Sequence, residues 1–278
     1  MISLNSFNSS ERSHRLWQEK EDSTLIRFFP AINKKSDAAI VIFAGGAYTH
    51  RALHESDGYA EFFAKNGINA FVVDYRVSPD HFPAQLSDAR RGVRFVRYYS
   101  GKYGIDKEKI AVIGSSAGGH LAALVSTYRG ELEGEGADEI DKESYLPDAQ
   151  ILCYPVINTT DSEIMSLITV NALLGEDNLS FAPEVSPDLI ADENTPQAFI
   201  WHTSTDGAAN VINSYVYASA LRRKSVPVEM HIFPEGPHGA GLAKNGEGAD
   251  ARVQKMLSHM SRWSDLLIDW LSYIGFLS

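Results

Sequence analysis

Cysteine is nearly absent from this chain of 278 residues, which contains only Cys153. A single thiol excludes a framework of internal disulfide bonds, and it excludes a zinc or iron–sulfur site built from several cysteines. Cys153 stands in the apolar run 151–155, which has the composition of a buried strand. We therefore predict a buried thiol without a chemical role, as is usual for free cysteine.

An excess of basic charge is also missing. The sequence has 25 lysine and arginine residues against 36 aspartate and glutamate residues, so the formal net charge is −11. Nucleic acids and anionic membranes are bound through basic patches, so this balance argues against both as partners.

Long apolar segments are lacking as well. No run approaches the ~20 apolar residues that a membrane-spanning helix needs. The polar residues 1–20 lack the apolar core of a secretory signal. We predict a cytoplasmic protein without a membrane partner.

What the chain does contain is a regular alternation of apolar runs with helix-like stretches. The runs are continuously apolar, as strands are when both faces of a parallel sheet are covered. They are 39–43, 69–75, 110–114, 150–157, 198–202 and 228–233. The helix-like stretches are 55–66, 83–100, 117–128 and 208–224. This alternation predicts an α/β fold with a mostly parallel sheet and helices on both faces, formed by one domain over residues 1–278.

Four further segments receive their own predictions. Residues 23–29 alternate weakly, which favours an antiparallel edge strand, and an apolar stripe over 253–274 predicts a closing core helix. The glutamate-rich segment 129–148 is interpreted as a solvated acidic loop. Residues 158–194 form a long connection between two strands, and long connections are often functional, so we predict a small cap insertion over an active site there.

The strongest motif is Gly-x-Ser-x-Gly, which follows the apolar run 110–114 and precedes a helix-like stretch rich in alanine and leucine. This context is typical of a nucleophile elbow, in which glycines permit a sharp turn and expose the central side chain. Gly114 and Gly118 flank Ser116 symmetrically, so Ser116 is the candidate nucleophile. The amide of Ala117, at a helix N-terminus, is a candidate donor to an oxyanion. The competing interpretation, a phosphate-binding turn, lacks its usual glycine and lysine pattern.

A serine nucleophile needs a base, and the base needs an orienting acid, in the order serine, acid, histidine for this topology. Asp206 follows a predicted strand and is the candidate acid; a helix N-cap is its alternative role. His238, in the loop after the last strand, is the candidate base, and His202 is the second choice. The other histidines receive lesser roles: packing for His120 and His231, and ligand contact for His50, His54 and His81.

The second part of an oxyanion hole is expected in the loop after an early strand. The small residues 44–47 follow the run 39–43, and they allow backbone amides to approach a substrate oxygen closely. The amides of Gly46 and Ala47 are therefore the candidate donors; a plain tight turn is the alternative.

Together these motifs, which span about residues 39–240, resemble those of the α/β-hydrolase superfamily. The similarity is to small carboxylesterases and lipases, and among them to acetyl-xylan-esterase-like carbohydrate esterases. Two departures concern the early loop, where Ala44 replaces the usual histidine or proline and Ala47 replaces a third glycine. An alanine at 47 is compatible with an amide donor if its φ is negative. The resemblance implies an α/β-hydrolase fold and ester hydrolysis without a cofactor; a metal is not expected, because the histidine spacing matches no known ligand set.

The function expected from the sequence is hydrolysis of short-chain carboxylic esters, with acetyl groups on sugars as one substrate class. Tyr48 and Tyr75 are interpreted either as stacking faces for a sugar or as packing of the wall. The alternatives are an amide-cleaving hydrolase of the same fold, such as an arylformamidase or small peptidase, and a non-catalytic binding module. Tyr273, Phe276 and Leu277 keep the chain end apolar, which hints at a homodimer. If the acidic segment 131–141 borders the site, it disfavours anionic substrates.

Overall fold

The computed structural model describes residues 13–17, 24–132, 138–244 and 248–277, which contain one sheet of eight strands. In chain order the strands are β1 (Ser13–Arg15), β2 (Leu25–Phe29), β3 (Ala39–Phe43), β4 (Asn69–Val73), β5 (Ile110–Ser115), β6 (Ala149–Cys153), β7 (Ala198–Thr203) and β8 (Val228–Phe233). Their order across the sheet is β1-β2-β4-β3-β5-β6-β7-β8. The pairs β1–β2 and β2–β4 are antiparallel, and the other five pairs are parallel. The predicted α/β fold with a mostly parallel sheet is thus confirmed.

Helices cover both faces of the sheet. They are α1 (Leu53–Lys65), α2 (Ala84–Tyr98), α3 (Ser100–Tyr103), α4 (Ala117–Thr127), α5 (Leu167–Leu174), α6 (Pro187–Ile190), α7 (Ile212–Arg223), α8 (Ala251–Met260) and α9 (Trp263–Tyr273). Successive residues of a strand point to opposite faces, so Val41 joins a core with α2, α4 and α7, and Ile42 joins one with α1 and α9. All of β3 is buried, which explains its continuously apolar sequence.

Two strand predictions are corrected at their ends. The segment 23–29 does pair antiparallel with β4, but β1 covers its other side, so it is not the edge; Ser23 lies outside the described residues. The run 150–157 leaves the sheet after Cys153, because Tyr154 has φ +36° and Pro155 has no amide hydrogen for a ladder bond.

The closing core helix predicted over 253–274 is two helices, α8 and α9. α8 is mostly exposed and buries only Met260, whereas Trp263 opens α9 and is fully buried. Met260 and Trp263 lie in the same core. Phe276 packs there too and is 5% exposed, so its expected place in a dimer contact is wrong; Tyr273 is 87% exposed.

The acidic segment is a solvated loop only in part. Residues 129–131 are exposed. Residues 138–148 instead pack against α2 through four buried arginines, Arg90, Arg91, Arg94 and Arg97. Asp148 accepts the amide of Ile110, the first residue of β5, at 2.9 Å. The segment therefore ends at the amino end of the strands, while Asp138 and Asp141 contact Arg91 in the middle of α2. The described contacts of 138–148 are with α2 and give no support to the hypothesis that the segment borders the active site; residues 133–137 lie outside the described residues.

The insertion 158–194 contains α5, the 3₁₀ segment Glu176–Val185 and α6. Its carbonyl groups accept hydrogen bonds from the core: the amide of Phe82 donates to Leu173 at 2.6 Å, and Asn213 donates to Ile164 at 3.0 Å. The segment is thereby fixed beside the carboxyl end of β6, the end of the sheet where ligands of open α/β folds bind.

Candidate active site

Ser116 forms the turn between β5 and α4 with φ +54° and ψ −119°, a conformation that residues other than glycine rarely adopt. The flanking glycines make the turn possible. A Cβ on Gly114 would lie 1.9 Å from the carbonyl oxygen of Gly118, and one on Gly118 would lie 2.2 Å from that of Phe43. The serine is consequently held at the carboxyl end of β5, where it is 9% exposed.

The structure brings Ser116, His238 and Asp206 together, although 122 residues separate the first two in sequence. Nε2 of His238 lies 2.9 Å from Oγ of Ser116, and Nδ1 lies 2.7 Å from Oδ2 of Asp206. The His238 side chain is 24% exposed and that of Asp206 only 1%. The relay therefore runs from a buried carboxylate to a partly accessible hydroxyl.

Asp206 is held by more than one donor. Its Oδ1 accepts the amides of Ala208 and Ala209, both at 2.9 Å, so the alternative capping role is present beside the contact with His238. Burial acts to raise the pKa of Asp206, but the hydrogen bonds from His202, His238 and Ala209 prevail and hold that pKa well below its usual range. The carboxylate is thus ionised at neutral pH.

His202, the second choice for the base, touches the acid but not the serine. Its Nε2 lies 3.4 Å from Oδ2 of Asp206 and 3.0 Å from the carbonyl oxygen of Ala209, and its Nδ1 lies 2.8 Å from Oγ of Ser214. The ring is fully buried. His202 therefore helps to hold the carboxylate of Asp206 and does not contact Ser116.

The remaining histidines divide into buried and peripheral ones. His120 is fully buried between Tyr48 and Val185, and burial lowers its pKa to about 4, which agrees with its predicted packing role. His231 pairs with Glu229 at the protein surface. His54 donates to the carbonyl oxygen of Gly239 at 2.8 Å, next to the base. His50 is exposed beside residue 46, and His81 bonds to the carbonyl oxygen of residue 172.

The loop 44–48 lies against the nucleophile, because a Cβ on Gly45 would be 3.3 Å from Cβ of Ser116. Among the described residues, the amides of Gly46, Ala47 and Ala117 donate to no acceptor. Ala47 has φ +53°, so the condition of a negative φ is not met there. The left-handed conformation is sterically unfavourable for alanine and open to glycine, the residue that the resemblance implies at this position. Because its amide has no acceptor, Ala47 stays a candidate donor.

Tyr48 and Tyr75 are both fully buried. The hydroxyl of Tyr48 contacts Nδ1 of His120 at 2.8 Å, and that of Tyr75 donates to the carbonyl oxygen of Ala44 at 2.6 Å. The interpretation of these rings as exposed stacking faces is therefore wrong, and packing of the loop wall is their role.

Sequence reasoning missed one acidic residue of this region. Glu55, in the first turn of α1, is 2% exposed. Its Oε2 accepts the amide of Gly45 at 2.8 Å, and its Oε1 accepts the hydroxyl of Tyr154 at 2.6 Å. A glutamate in the first turn of a helix normally indicates an exposed residue that favours the helix dipole, so no sequence signal points to this contact.

Other chemistry finds little support in the described residues. Cys153 is fully buried, and burial raises the pKa of its thiol to about 12, in agreement with an unreactive role. Within the described ranges, histidine, cysteine and carboxylate side chains form no group of three that could hold a metal ion. None of the helices described is both long and apolar enough for a membrane crossing.

Comparison with known proteins identifies the family of this chain. The family model BD-FAE matches residues 27–221. The endo-1,4-beta-xylanase B of Butyrivibrio fibrisolvens is 33% identical over 248 residues, 83% of this chain and 38% of that protein. The acetylxylan esterase of Xylanibacter ruminicola is 28% identical over 223 residues, 78% of this chain and 44% of that protein. The chain thus spans less than half the length of these curated relatives.

Among solved structures, the acetyl ester-xyloside bifunctional hydrolase from Caldicellulosiruptor lactoaceticus superposes with a TM-score of 0.84 at 37% identity. The alignment covers 96% of this chain and 97% of that one. The carboxylesterase Cest-2923 from Lactobacillus plantarum shares the fold at 21% identity with a TM-score of 0.80, over 96% and 98% of the two chains. The chain belongs to the BD-FAE family of α/β-hydrolase esterases.

Proposed function

We propose that this protein is a serine esterase that hydrolyses short-chain carboxylic esters through Ser116, His238 and Asp206. The observation that carries the proposal is the hydrogen-bonded relay, 2.7 Å from acid to base and 2.9 Å from base to hydroxyl. Its hydroxyl end sits on a turn that exposes it to an incoming carbonyl group. The esterases among the similar proteins support the same chemistry.

The first half of the reaction forms an acyl-enzyme. Nε2 of His238 takes the proton of the Ser116 hydroxyl while Oγ attacks the ester carbonyl carbon, and the carbonyl oxygen becomes an oxyanion. His238 then gives that proton to the leaving alcohol as the carbon–oxygen bond to it breaks. Asp206 stays ionised, holds the Nδ1–H tautomer and stabilises the imidazolium.

The oxyanion needs preorganised donors, and the amides of Gly46, Ala47 and Ala117 are the candidates. They belong to the two segments that meet at the nucleophile, the loop 44–48 and the start of α4. Each such donor contributes about 3 kcal/mol of transition-state stabilisation in serine hydrolases. In the second half of the reaction, water deprotonated by His238 attacks the acyl carbon, and the serine leaves with the proton.

The proposed substrates are esters of short acyl groups, including acetyl groups on sugars. Support comes from two similar proteins, whose names are acetylxylan esterase and acetyl ester-xyloside bifunctional hydrolase. We propose a single domain over residues 1–278 in which 158–194 forms a cap beside the mouth of the site. A homodimer and a cytoplasmic location stay predictions from the sequence.

Replacement of the nucleophile tests the proposal. Ser116→Ala is expected to fold as the wild type and to lose at least about 10³-fold of the activity on p-nitrophenyl acetate, because the acyl-enzyme cannot form. Circular dichroism and the melting temperature check the fold. A variant that keeps wild-type turnover would exclude Ser116 as nucleophile.

Two further assays distinguish the proposed esterase from the alternative functions. A panel of acetylated sugars, N-formylkynurenine and aminoacyl amides distinguishes an esterase from an amide-cleaving enzyme of this fold. A fluorophosphonate probe should label the wild type and not Ser116→Ala. Folded wild-type protein that resists labelling at every pH would instead indicate a binding module.

A further inference from the structure

Glu55 is a buried carboxylate that the reaction above does not use. It is 2% exposed, and it accepts hydrogen bonds from Gly45 and Tyr154. Within the described residues it forms no ion pair with lysine or arginine, and the nearby imidazole of His54 lies 3.8 Å away. Burying a carboxyl group is costly unless both of its oxygens are hydrogen-bonded, so the two bonds of Glu55 indicate a role beyond packing.

One oxygen of Glu55 fixes the backbone just before the candidate oxyanion donors. Oε2 accepts the amide of Gly45 at 2.8 Å, and the next two residues are Gly46 and Ala47. A Cβ on Gly45 would lie 2.3 Å from this oxygen. Glycine at 45 is therefore required by the close approach of the carboxylate, which sets where the following amides point.

The other oxygen reaches the loop that carries the base. Oε1 accepts the hydroxyl of Tyr154 at 2.6 Å, and that hydroxyl in turn accepts the amide of Gly241 at 2.9 Å. The Tyr154 ring meets the ring of His238 edge to face, with centroids 5.1 Å apart. The φ of Tyr154 is +36°, an unfavourable value for a tyrosine, so these contacts hold a strained residue in place.

We propose that Glu55 is a positioning residue that fixes the oxyanion loop relative to the base loop. This inference rests on the proposed esterase function. Oxyanion donors stabilise the transition state because they already point to the position where the negative charge develops. Small displacements of such donors therefore lower the rate steeply. Glu55 thus acts on the transition state through Gly45 and Tyr154 without touching substrate.

The test is Glu55→Gln, which preserves the shape of the side chain. Glutamine offers one acceptor oxygen, so its amide NH₂ must face one of the two donors that the carboxylate accepts. We expect kcat on p-nitrophenyl acetate to fall by about 10- to 100-fold while KM changes by less than about 3-fold, as for loss of an interaction made only in the transition state.

A transition-state analogue provides the decisive readout. A trifluoromethyl ketone that adds to Ser116 should bind Glu55→Gln more weakly by the same factor by which kcat/KM falls. The corresponding methyl carbinol, which cannot form the adduct, should bind both proteins equally. A variant that keeps wild-type kcat and ketone affinity, or that loses affinity for both ligands alike, would overturn the inference.

Two further variants complete the experiment, one as a control and one as a second test. Glu61→Gln changes an exposed carboxylate on the same helix, paired with Lys65, and should leave all constants unchanged. Tyr154→Phe keeps the carboxylate and its bond to Gly45 but removes the link to the base loop, so it decides the question if Glu55→Gln does not fold. We expect a 3- to 30-fold lower kcat for it, on the order of one misplaced hydrogen bond, and unchanged kcat would contradict the link.

Failure of the proposed function would look different. Wild-type protein that turns over no ester and forms no ketone adduct would contradict the esterase proposal itself. Active wild type, inactive Ser116→Ala and fully active Glu55→Gln would contradict only the positioning role.

Discussion

Acidic side chains are buried in the active site and in a cluster beside α2, and they have different partners. In the active site, the side chain of Asp206 is 1% exposed and contacts the imidazoles of His202 and His238. Beside α2, the side chain of Asp141 is also 1% exposed, and it contacts the guanidinium of Arg91 at 2.8 Å. The two carboxylates are equally buried, so burial alone does not distinguish a reactive pair from a structural one.

The partner makes the difference. Imidazole exchanges its proton near neutral pH, so the pair of Asp206 and His238 can pass through charged and neutral forms during a reaction. Guanidinium keeps its proton at all accessible pH values, so the pair of Asp141 and Arg91 is a permanent ion pair. The comparison implies that changes in the active site should alter activity more than stability, and that changes in the cluster beside α2 should do the reverse.

The largest expected effect is that of Asp206→Asn. Oδ1 of asparagine still accepts the amides of Ala208 and Ala209, but its NH₂ must donate to Nδ1 of His238. Nε2 then carries the hydrogen and faces Ser116, so it cannot take the serine proton. We expect kcat to fall by about 10³- to 10⁴-fold with little change in melting temperature.

Steady-state kinetics on p-nitrophenyl acetate and thermal unfolding check this outcome in the same preparation. Asp265→Asn, an exposed carboxylate in the first turn of α9, is the matched control and should leave both quantities unchanged. If Asp206→Asn lowered thermal stability as severely as it lowered kcat, the active site would not differ from the cluster beside α2 in the expected way.

The next effect is that of Arg91→Met in the cluster beside α2. The guanidinium is 2% exposed and contacts both Asp138 and Asp141. Its removal takes the nearer guanidinium away from buried Asp141, and that of Arg94 lies 3.8 Å off. Removing one partner of a buried ion pair typically lowers the free energy of unfolding by about 3–5 kcal/mol. Urea unfolding measures the loss, and kcat of the folded fraction should stay within about 2-fold of wild type.

The control for this variant is Arg252→Met, because Arg252 is 85% exposed and its pair with Glu235 is at the surface. Exposed pairs contribute less than about 1 kcal/mol. Equal losses for the two arginine variants would mean that the buried cluster is no more stabilising than a surface contact.

The sequence predicts the active site better than it predicts the cluster beside α2. The elbow at Ser116 is predictable because its glycines form a recognisable local motif. A side chain at Gly114 would collide with the backbone of Gly118, four residues on, whereas one at Gly118 would collide with the distant carbonyl of Phe43. The strand–helix alternation predicts a parallel sheet, in which the carboxyl ends of the strands lie at the same edge. Asp206 and His238 are therefore expected near the serine. Both inferences need only local patterns and the rules of parallel sheets.

The buried charges are not predictable in this way. A hydrophobic pattern places the arginines of α2 on its solvent side, and nothing local indicates that Asp138, 47 residues after Arg91, returns to cover them. Glu55 is similar, because its partner Tyr154 is 99 residues away. In both regions, the pairing of polar groups that are distant in sequence is therefore known only from the structure.

The smallest expected effect is on the pH dependence of stability, and it concerns the cluster beside α2 alone. The hydrogen bond from Arg91 is the main cause that lowers the pKa of Asp138 to about 2, below the ~3.9 of a free aspartate. A carboxyl group with a lowered pKa stabilises the folded state fully above pH ~4, and this contribution is lost as the pH falls towards about 2. Unfolding by urea at intervals between pH 6 and pH 2 should therefore show a decline that Asp138→Asn reduces. Asp177→Asn, an exposed carboxylate of the insertion, should keep the wild-type decline. If Asp138→Asn declined as steeply as wild type, the pair with Arg91 would contribute nothing in solution, and the cluster beside α2 would be held by its apolar contacts and its buried carbonyl acceptors instead.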